Sequence, residues 1–174
     1  GHVGYYCGGM NQKANIIING NAGTGLGENM MSGTIHVKGS TSQSTGATAH
    51  GGTIIVDGDA SSRCGISMKG VDIIVKGSVG HMSAFMAQAG TLLVCGNAGE
   101  ALGDSIYETV IYIAGKPKSL GVDCIEKKIN KTDIDKIESL LKQGNIKKLK
   151  PSNFKKFGSA RKLYNFNIDN VSNY

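Results

Sequence analysis

The chain has 174 residues and a formal net charge of +6, room for one domain with a tail and too little for a large self-contained enzyme. Its 26 glycines are about twice the usual share of ~7%, yet Gly does not recur every third residue and Pro is only 2, which excludes collagen. With 40% hydrophobic residues in regular clusters, the glycine-rich part cannot be disordered. No basic segment followed by an apolar stretch opens the chain, so no secretory signal is read. No run approaches the length of a membrane span, and a cytoplasmic protein is expected. Cys7, Cys64, Cys95 and Cys124 are separated by 57, 31 and 29 residues, which supplies no metal-ligand spacing and suits buried thiols in a reducing compartment.

From residue 16 onward one phrase repeats, an aliphatic strand ending in Gly. It reads Ile16-Ile17-Ile18-Asn19-Gly20, Ile35-His36-Val37-Lys38-Gly39, Ile54-Ile55-Val56-Asp57-Gly58, Ile73-Ile74-Val75-Lys76-Gly77, Leu92-Leu93-Val94-Cys95-Gly96 and Ile111-Tyr112-Ile113-Ala114-Gly115. The closing glycines stand 19 residues apart, and one more period back lands on Gly1. Gly1 in that column implies that one or more turns precede it. A second glycine column follows seven residues later, at Gly8, Gly27, Gly46, Gly65 and Gly103, with Ala84 as the departure.

Ile16, Ile35, Ile54, Ile73, Leu92 and Ile111, with Ile18, Val37, Val56, Val75, Val94 and Ile113 two residues on, share one strand face. One strand cannot bury them, whereas stacked coils can. The pattern predicts an all-β fold, a right-handed parallel β-helix (solenoid) of coils of about 19 residues over residues 1–125. Six coils at about 4.8 Å each give a rod roughly 29 Å long. The glycines are expected at its corners. Between the inward columns lies the outward column Ile17, His36, Ile55, Ile74, Leu93 and Tyr112. Apolar side chains there need a cover, either the chain's own C-terminal segment or another protein.

Beyond residue 115 the charge changes from net −2, for residues 1–115, to net +8. Thr132-Asp133-Ile134-Asp135 resembles a capping box, and Ile134, Ile137, Leu140 and Leu141 form an apolar stripe up to Gly144, which predicts one short helix at the open end of the solenoid or along its side. The stretch Phe154-Lys155-Lys156-Phe157 through Arg161-Lys162-Leu163-Tyr164-Asn165-Phe166 interleaves bases and aromatics. It suits a docking peptide better than a nucleic-acid contact. Residues 126–174 are therefore read as a helix and docking tail whose removal leaves the solenoid folded. The candidate partner interface comprises Ile17, Ile55, Ile74, Leu93 and Tyr112 with Phe154, Phe157, Arg161 and Tyr164.

No reaction centre is legible. Gly23-Thr24-Gly25-Leu26-Gly27 lacks the third glycine of a dinucleotide fingerprint, since Glu28 stands there, and another strand follows instead of a helix. His2, His36, His50 and His81 do not differ by multiples of 19, so no histidine ladder forms. Asp104, Glu108 and Asp123 have no nucleophile at a telling offset, and Asn21 and Asn97 occupy equivalent corners where Asn tolerates turn conformations. No catalytic, cofactor-binding or metal-binding residues are assigned.

The units in register, such as Gly51-Gly52-Thr53-Ile54-Ile55-Val56-Asp57-Gly58-Asp59-Ala60, resemble the glycine-rich (GXGXG) β-helix domain that ends the large subunit of glutamate synthase. Formylmethanofuran dehydrogenase has the same domain in one of its subunits. The resemblance covers residues 1 to about 125. Gly103-Asp104-Ser105-Ile106-Tyr107-Glu108, Ser119-Leu120-Gly121-Val122-Asp123 and Ser159-Ala160-Arg161-Lys162-Leu163-Tyr164 look more like the free-standing β-helix subunit of N-methylglutamate synthase. The resemblance implies a non-catalytic scaffold that joins a glutaminase-like amidotransferase subunit to an FMN-binding synthase subunit during transfer of a methylamine group onto glutamate. FMN, and an iron–sulfur cluster if there is one, would lie on the partner. A formylmethanofuran dehydrogenase subunit and a protein binding nucleic acid through its basic tail are the alternatives.

Overall fold

The inward columns form the spine of the structure, a computed structural model that describes residues 1–161. Strands β1 (Asn15–Ile18), β2 (Thr34–Val37), β3 (Thr53–Val56), β4 (Lys69–Val75), β5 (Ala89–Val94) and β6 (Val110–Ile113) stack in parallel. Their register is the repeat itself, with Ile16 against Ile35, then Ile54, Ile73, Leu92 and Ile111. A second parallel ladder runs through Val3, Ala22, Thr41, Ala60, Val79, Ala98 and Pro117, again one residue per coil. The fold is thus a parallel β-solenoid with one coil per 19 residues.

Three further columns fill the space behind the strands. One is the ladder just described. The second carries Leu26, Thr45, Cys64, Ser83 and Leu102, and the third carries Met30, Ala49, Met68, Ala87 and Ile106; all are buried. Met and Ala alternate from coil to coil in the third, so each long thioether takes up the volume that the small neighbour leaves. The hydroxyls buried in these columns are paired locally: Thr45 Oγ1 donates to Thr41 Oγ1 at 2.7 Å and Ser83 Oγ donates to the Gly80 carbonyl at 2.9 Å.

The two glycine columns meet different physical demands. At Gly39, Gly58, Gly77 and Gly96 a Cβ would lie 2.7–3.0 Å from the carbonyl oxygen of the equivalent glycine one coil earlier. Close approach of stacked backbones, rather than a left-handed conformation, is what excludes a side chain there. At Gly46 φ is +67° and a Cβ would reach 2.6 Å from Ile73 Cδ1. That column is left-handed throughout, and Ala84 accepts φ 57° in the coil whose strand carries Leu92 instead of Ile.

After the last full coil the chain turns back on itself. β7 (Cys124–Lys127) is followed by helix α1 (Lys131–Gln143), a single 3-10 turn (Pro151–Asn153) and β8 (Lys155–Ser159). β8 enters the sheet antiparallel between β6 and β7. Residues 126–161 therefore share the sheet and the core of the solenoid instead of forming a separate tail. Phe157, opposite the inward-facing Ile111, closes the end of the inner core.

The helix begins two residues earlier than the sequence suggests. Asn130, not Thr132, is the N-cap: its side chain accepts from Asp133 N–H at 2.9 Å, and Asp133 Oδ2 accepts from Asn130 N–H at 2.8 Å. The buried stripe is also offset from the apolar one, with Asp133, Ile137, Leu140 and Leu141 buried and Ile134 exposed. The helix lies along the side of the solenoid and does not plug its end. Ile137, Leu140 and Leu141 pack with Ile55, Ile74, Leu93, Tyr112 and Phe154 in a second apolar layer outside the sheet.

Candidate functional site

The outward column is the natural starting point, and the structure divides it. Ile55, Ile74, Leu93 and Tyr112 are buried beneath α1. Of the two covers open to this column, the chain supplies its own, and the placement of these four side chains at a partner interface is corrected accordingly. Phe154 and Phe157 are corrected for the same reason, since one fills the outer layer and the other the inner core. Ile17 remains 66% exposed, because the helix does not reach the first coils. Arg161 is exposed and ion-paired with Asp123. Tyr164 lies outside the described residues.

An electrostatic cluster under α1 joins the helix to two neighbouring strands of the sheet. Tyr112 donates its hydroxyl proton to Asp133 Oδ1 at 2.7 Å, and Lys156 Nζ lies 2.7 Å from the same oxygen. Burial alone would raise the Asp133 pKa, but the Lys156 ammonium, the Asn130 N–H and the Tyr112 hydroxyl outweigh it and hold the carboxyl below its usual range. Burial, and then the bond to Asp133, push the Tyr112 phenol well above its usual value. This triad ties β6, α1 and β8 together. Its groups are already committed to one another, which suits a structural rather than a catalytic role.

On the open part of the same face, His36 Nε2 lies 2.9 Å from Asp57 Oδ1, Lys76 Nζ 2.7 Å from that oxygen, and Lys38 Nζ 3.8 Å from Oδ2. Burial opposes ionisation of Asp57, but Lys76 and His36 prevail and lower its pKa. His36 thus has a partner one coil away. Among the described residues no group of three or more His, Cys, Asp or Glu side chains could hold a metal, and no helix is long and apolar enough to cross a membrane. All four cysteines are free thiols, and burial pushes Cys64 up to about 12.

The three glycine N–H groups of the segment at 23–27 are taken up by neighbouring coils and do not form a phosphate cradle. Gly23 N–H donates to the Val3 carbonyl, Gly25 N–H to that of Gln43 and Gly27 N–H to that of Cys7. Asn21 and Asn97 do not adopt left-handed turns. They belong to a side-chain ladder in which each residue accepts from the backbone N–H at the same position of the next coil. It runs from His2 Nδ1 to Asn21 N–H, Asn21 to Ser40, Ser40 to Asp59, Asp59 to Ser78, Ser78 to Asn97 and Asn97 to Lys116, at 2.7–3.1 Å.

Two groups of exposed apolar side chains remain. On the first two coils stand Tyr5, 76% exposed, with Tyr6, Met10, Ile17 and Met31; at the other end stand Tyr107, Leu120, Val122 and Ile125. Of the first group the sequence reading names only Ile17; Tyr5, Tyr6, Met10 and Met31 escaped it although a signal existed. Gly25, Ser44 and Arg63 occupy the Tyr6 position in later coils, so an aromatic there departs from its own column.

No family model matches the sequence. Among curated proteins, Protein GlxC of Rhizobium meliloti (strain 1021) is 54% identical over 174 residues, which cover 100% of this chain and 76% of that protein.

Proposed function

Because this chain belongs to the GlxC family, we propose that it is a non-catalytic scaffold subunit of a glutamate-synthase-type complex, of the kind that makes N-methylglutamate from methylamine and glutamate. In this reading it holds a glutaminase-like amidotransferase subunit and an FMN-binding synthase subunit together, and the flavin resides on the latter. The observation that carries the reading is the exposure of Tyr5, Tyr6, Met10 and Ile17 on the first coils of a solenoid whose outward strand column from Ile55 to Tyr112 is covered by its own helix. Aromatic and methionine side chains are enriched at the centres of interfaces, and a folded domain rarely leaves such a group open without a partner. A rigid rod with apolar groups toward both ends suits a role in fixing two larger subunits at a set separation.

Co-expression with the two proposed partner chains and purification through a tag on this chain tests the reading. The expected result is that both partners and yellow flavin absorbance co-elute, and that Tyr6→Ser with Ile17→Glu removes one partner while the melting curve of the isolated chain is kept. Unchanged co-elution from the double variant would move the interface elsewhere. Absence of both partners from the unmodified chain's eluate would overturn the scaffold role.

A further inference from the structure

β8 delivers the chain to the exposed apolar side chains at the C-terminal end of the solenoid. Ile111 stands opposite Phe157, and the same antiparallel register carried on brings Arg161 level with Tyr107, beside which it lines a common cavity. On the other side Ala160 N–H donates to the Asp123 carbonyl at 2.7 Å, and the Arg161 guanidinium pairs with the Asp123 carboxylate. The last described residue is therefore flanked by Tyr107 and by the neighbour of Val122, which are 46% and 63% exposed.

The apolar surface continues from there across three coils. Ser105 N–H donates to the Val122 carbonyl and Met86 N–H to that of Asp104, both at 2.9 Å, so Val122, the Asp104–Ser105 pair and Met86 follow one another along the rod. Tyr107 N–H donates to the Ala87 carbonyl at 2.9 Å, next to Met86, which is itself exposed. Met86 has φ 50° at a position that Asn29, Thr48, Ser67 and Ser105 fill in four other coils. A left-handed backbone favours short polar side chains over a long apolar one, so the thioether is explained by a cover rather than by the turn. Three carboxylates edge this surface, Asp104, Glu108 and Asp123. Asp123 pairs with Arg161, whereas Asp104 and Glu108 have no cationic partner among the described residues.

Residues 162–174 follow, outside the described ones. They open with Lys162, and Tyr164-Asn165-Phe166-Asn167-Ile168 then alternates apolar and amide side chains, the pattern of an extended segment with one face buried. Three stacked coils span roughly 10–14 Å, a length that about four or five extended residues cover. A segment tethered at the rim of the surface faces it at an effective concentration in the millimolar range, which no separate chain matches at ordinary concentrations.

We propose that residues 162–168 of this chain are the cover, lying as an extended strap across Met86, Tyr107 and Val122 with the Tyr164 and Phe166 rings on these side chains and Lys162 against Glu108 and Asp104. The C-terminal part of the chain then closes this end of the solenoid as well as its sheet face. The inference does not rest on the scaffold role; a subunit docking at this end meets the strap together with the coils beneath it.

The test is nuclear magnetic resonance of the isotope-labelled full chain. Nuclear Overhauser cross-peaks are expected between the Val122 methyl groups and the ring protons of Tyr164 or Phe166, with intensities that dilution does not change. The Val122 methyl resonances should carry a ring-current shift and lose it when Tyr164→Ser and Phe166→Ser are combined, while the methyl groups of the inner columns, such as those of Ile54, keep their positions. Cross-peaks confined to pairs of labelled and unlabelled chains in a mixed sample would make a second copy the occupant. Cross-peaks absent from the isolated chain, or a Val122 shift indifferent to the loss of both rings, would leave the surface to another protein. Each of these three results overturns the proposal. If the double variant fails to fold, the cross-peaks of the unmodified chain decide alone.

Discussion

Stopping the chain after Ile125 deletes α1 and β8 and is expected to unfold or aggregate what remains. Ile55, Ile74, Leu93 and Tyr112 lie on the solenoid, and all four are covered by the deleted part. Their backbone must still be ordered, so the entropy cost stays while the burial is lost. At about 1.5–3 kcal/mol per large apolar side chain this removes up to ~6–12 kcal/mol. The net stability of a domain is only about 5–15 kcal/mol, so the loss is decisive. The truncation also withdraws Phe157 from the end of the inner core and leaves β6 as an unpaired sheet edge. Circular dichroism melts with size-exclusion chromatography are the assay. A monomeric truncated chain melting cooperatively within a few degrees of the full chain would refute this, and would restore the separable docking tail that the sequence suggests. A gentler version is Ile137→Ala, expected to cost about 2–5 kcal/mol and to lower Tm by roughly 4–20 °C.

The two glycine columns should respond differently to substitution. Gly77→Ala places a Cβ 2.8 Å from the Gly58 carbonyl oxygen and should cost about 1–3 kcal/mol in a denaturant titration. Ala84→Gly relieves a left-handed alanine and should leave stability unchanged or raise it by up to ~1 kcal/mol; a clear loss would show that the methyl group packs. Asn97→Ala removes the acceptor for the Lys116 N–H and should cost about 0.5–1.5 kcal/mol, while Asn97→Ser, the residue type used at 40 and 78, should cost less. Asp57 and Asp133 have depressed folded-state pKa values. In acid the unfolded chain therefore takes up protons first, and stability is full above the ordinary carboxylate range and falls as pH drops through it. Melting temperature measured downward from about pH 6 should decline below about pH 4, and less steeply in Asp57→Asn; an equal decline in that variant would mean its ion pairs contribute nothing.

Most of the solenoid was legible because its cause is periodic. Any column that must be apolar in every coil is visible at a spacing of 19, and Ile35, Ile54 and Ile73 stand in register as that spacing requires. What escaped was aperiodic or set by contacts distant in sequence. The position of α1 depends on Asn130 capping Asp133, and two candidate caps two residues apart cannot be separated by pattern alone. β8 reads as a basic and aromatic tail, because Lys155 and Lys156 face ion pairs that only the folded sheet supplies, with Glu126 and Asp133. The polar ladder from His2 to Lys116 mixes His, Asn, Ser and Asp. These share only the ability to accept one hydrogen bond, and such a column looks like variation until the coils are stacked. For the candidate interface, an apolar outward column signals that something covers it. It does not say whether the cover is the same chain, and here the answer changes from Ile17 to Ile55.

The scaffold role stands or falls most directly on native mass spectrometry, with an absorbance spectrum, of the complex isolated from its own cells through this chain. The expected result is one assembly containing this chain, an amidotransferase-like chain and a synthase-like chain, with a flavin spectrum that follows the last when the assembly is dissociated. Recovery of this chain alone and colourless, or with nucleic acid in place of the two enzymes, would contradict it.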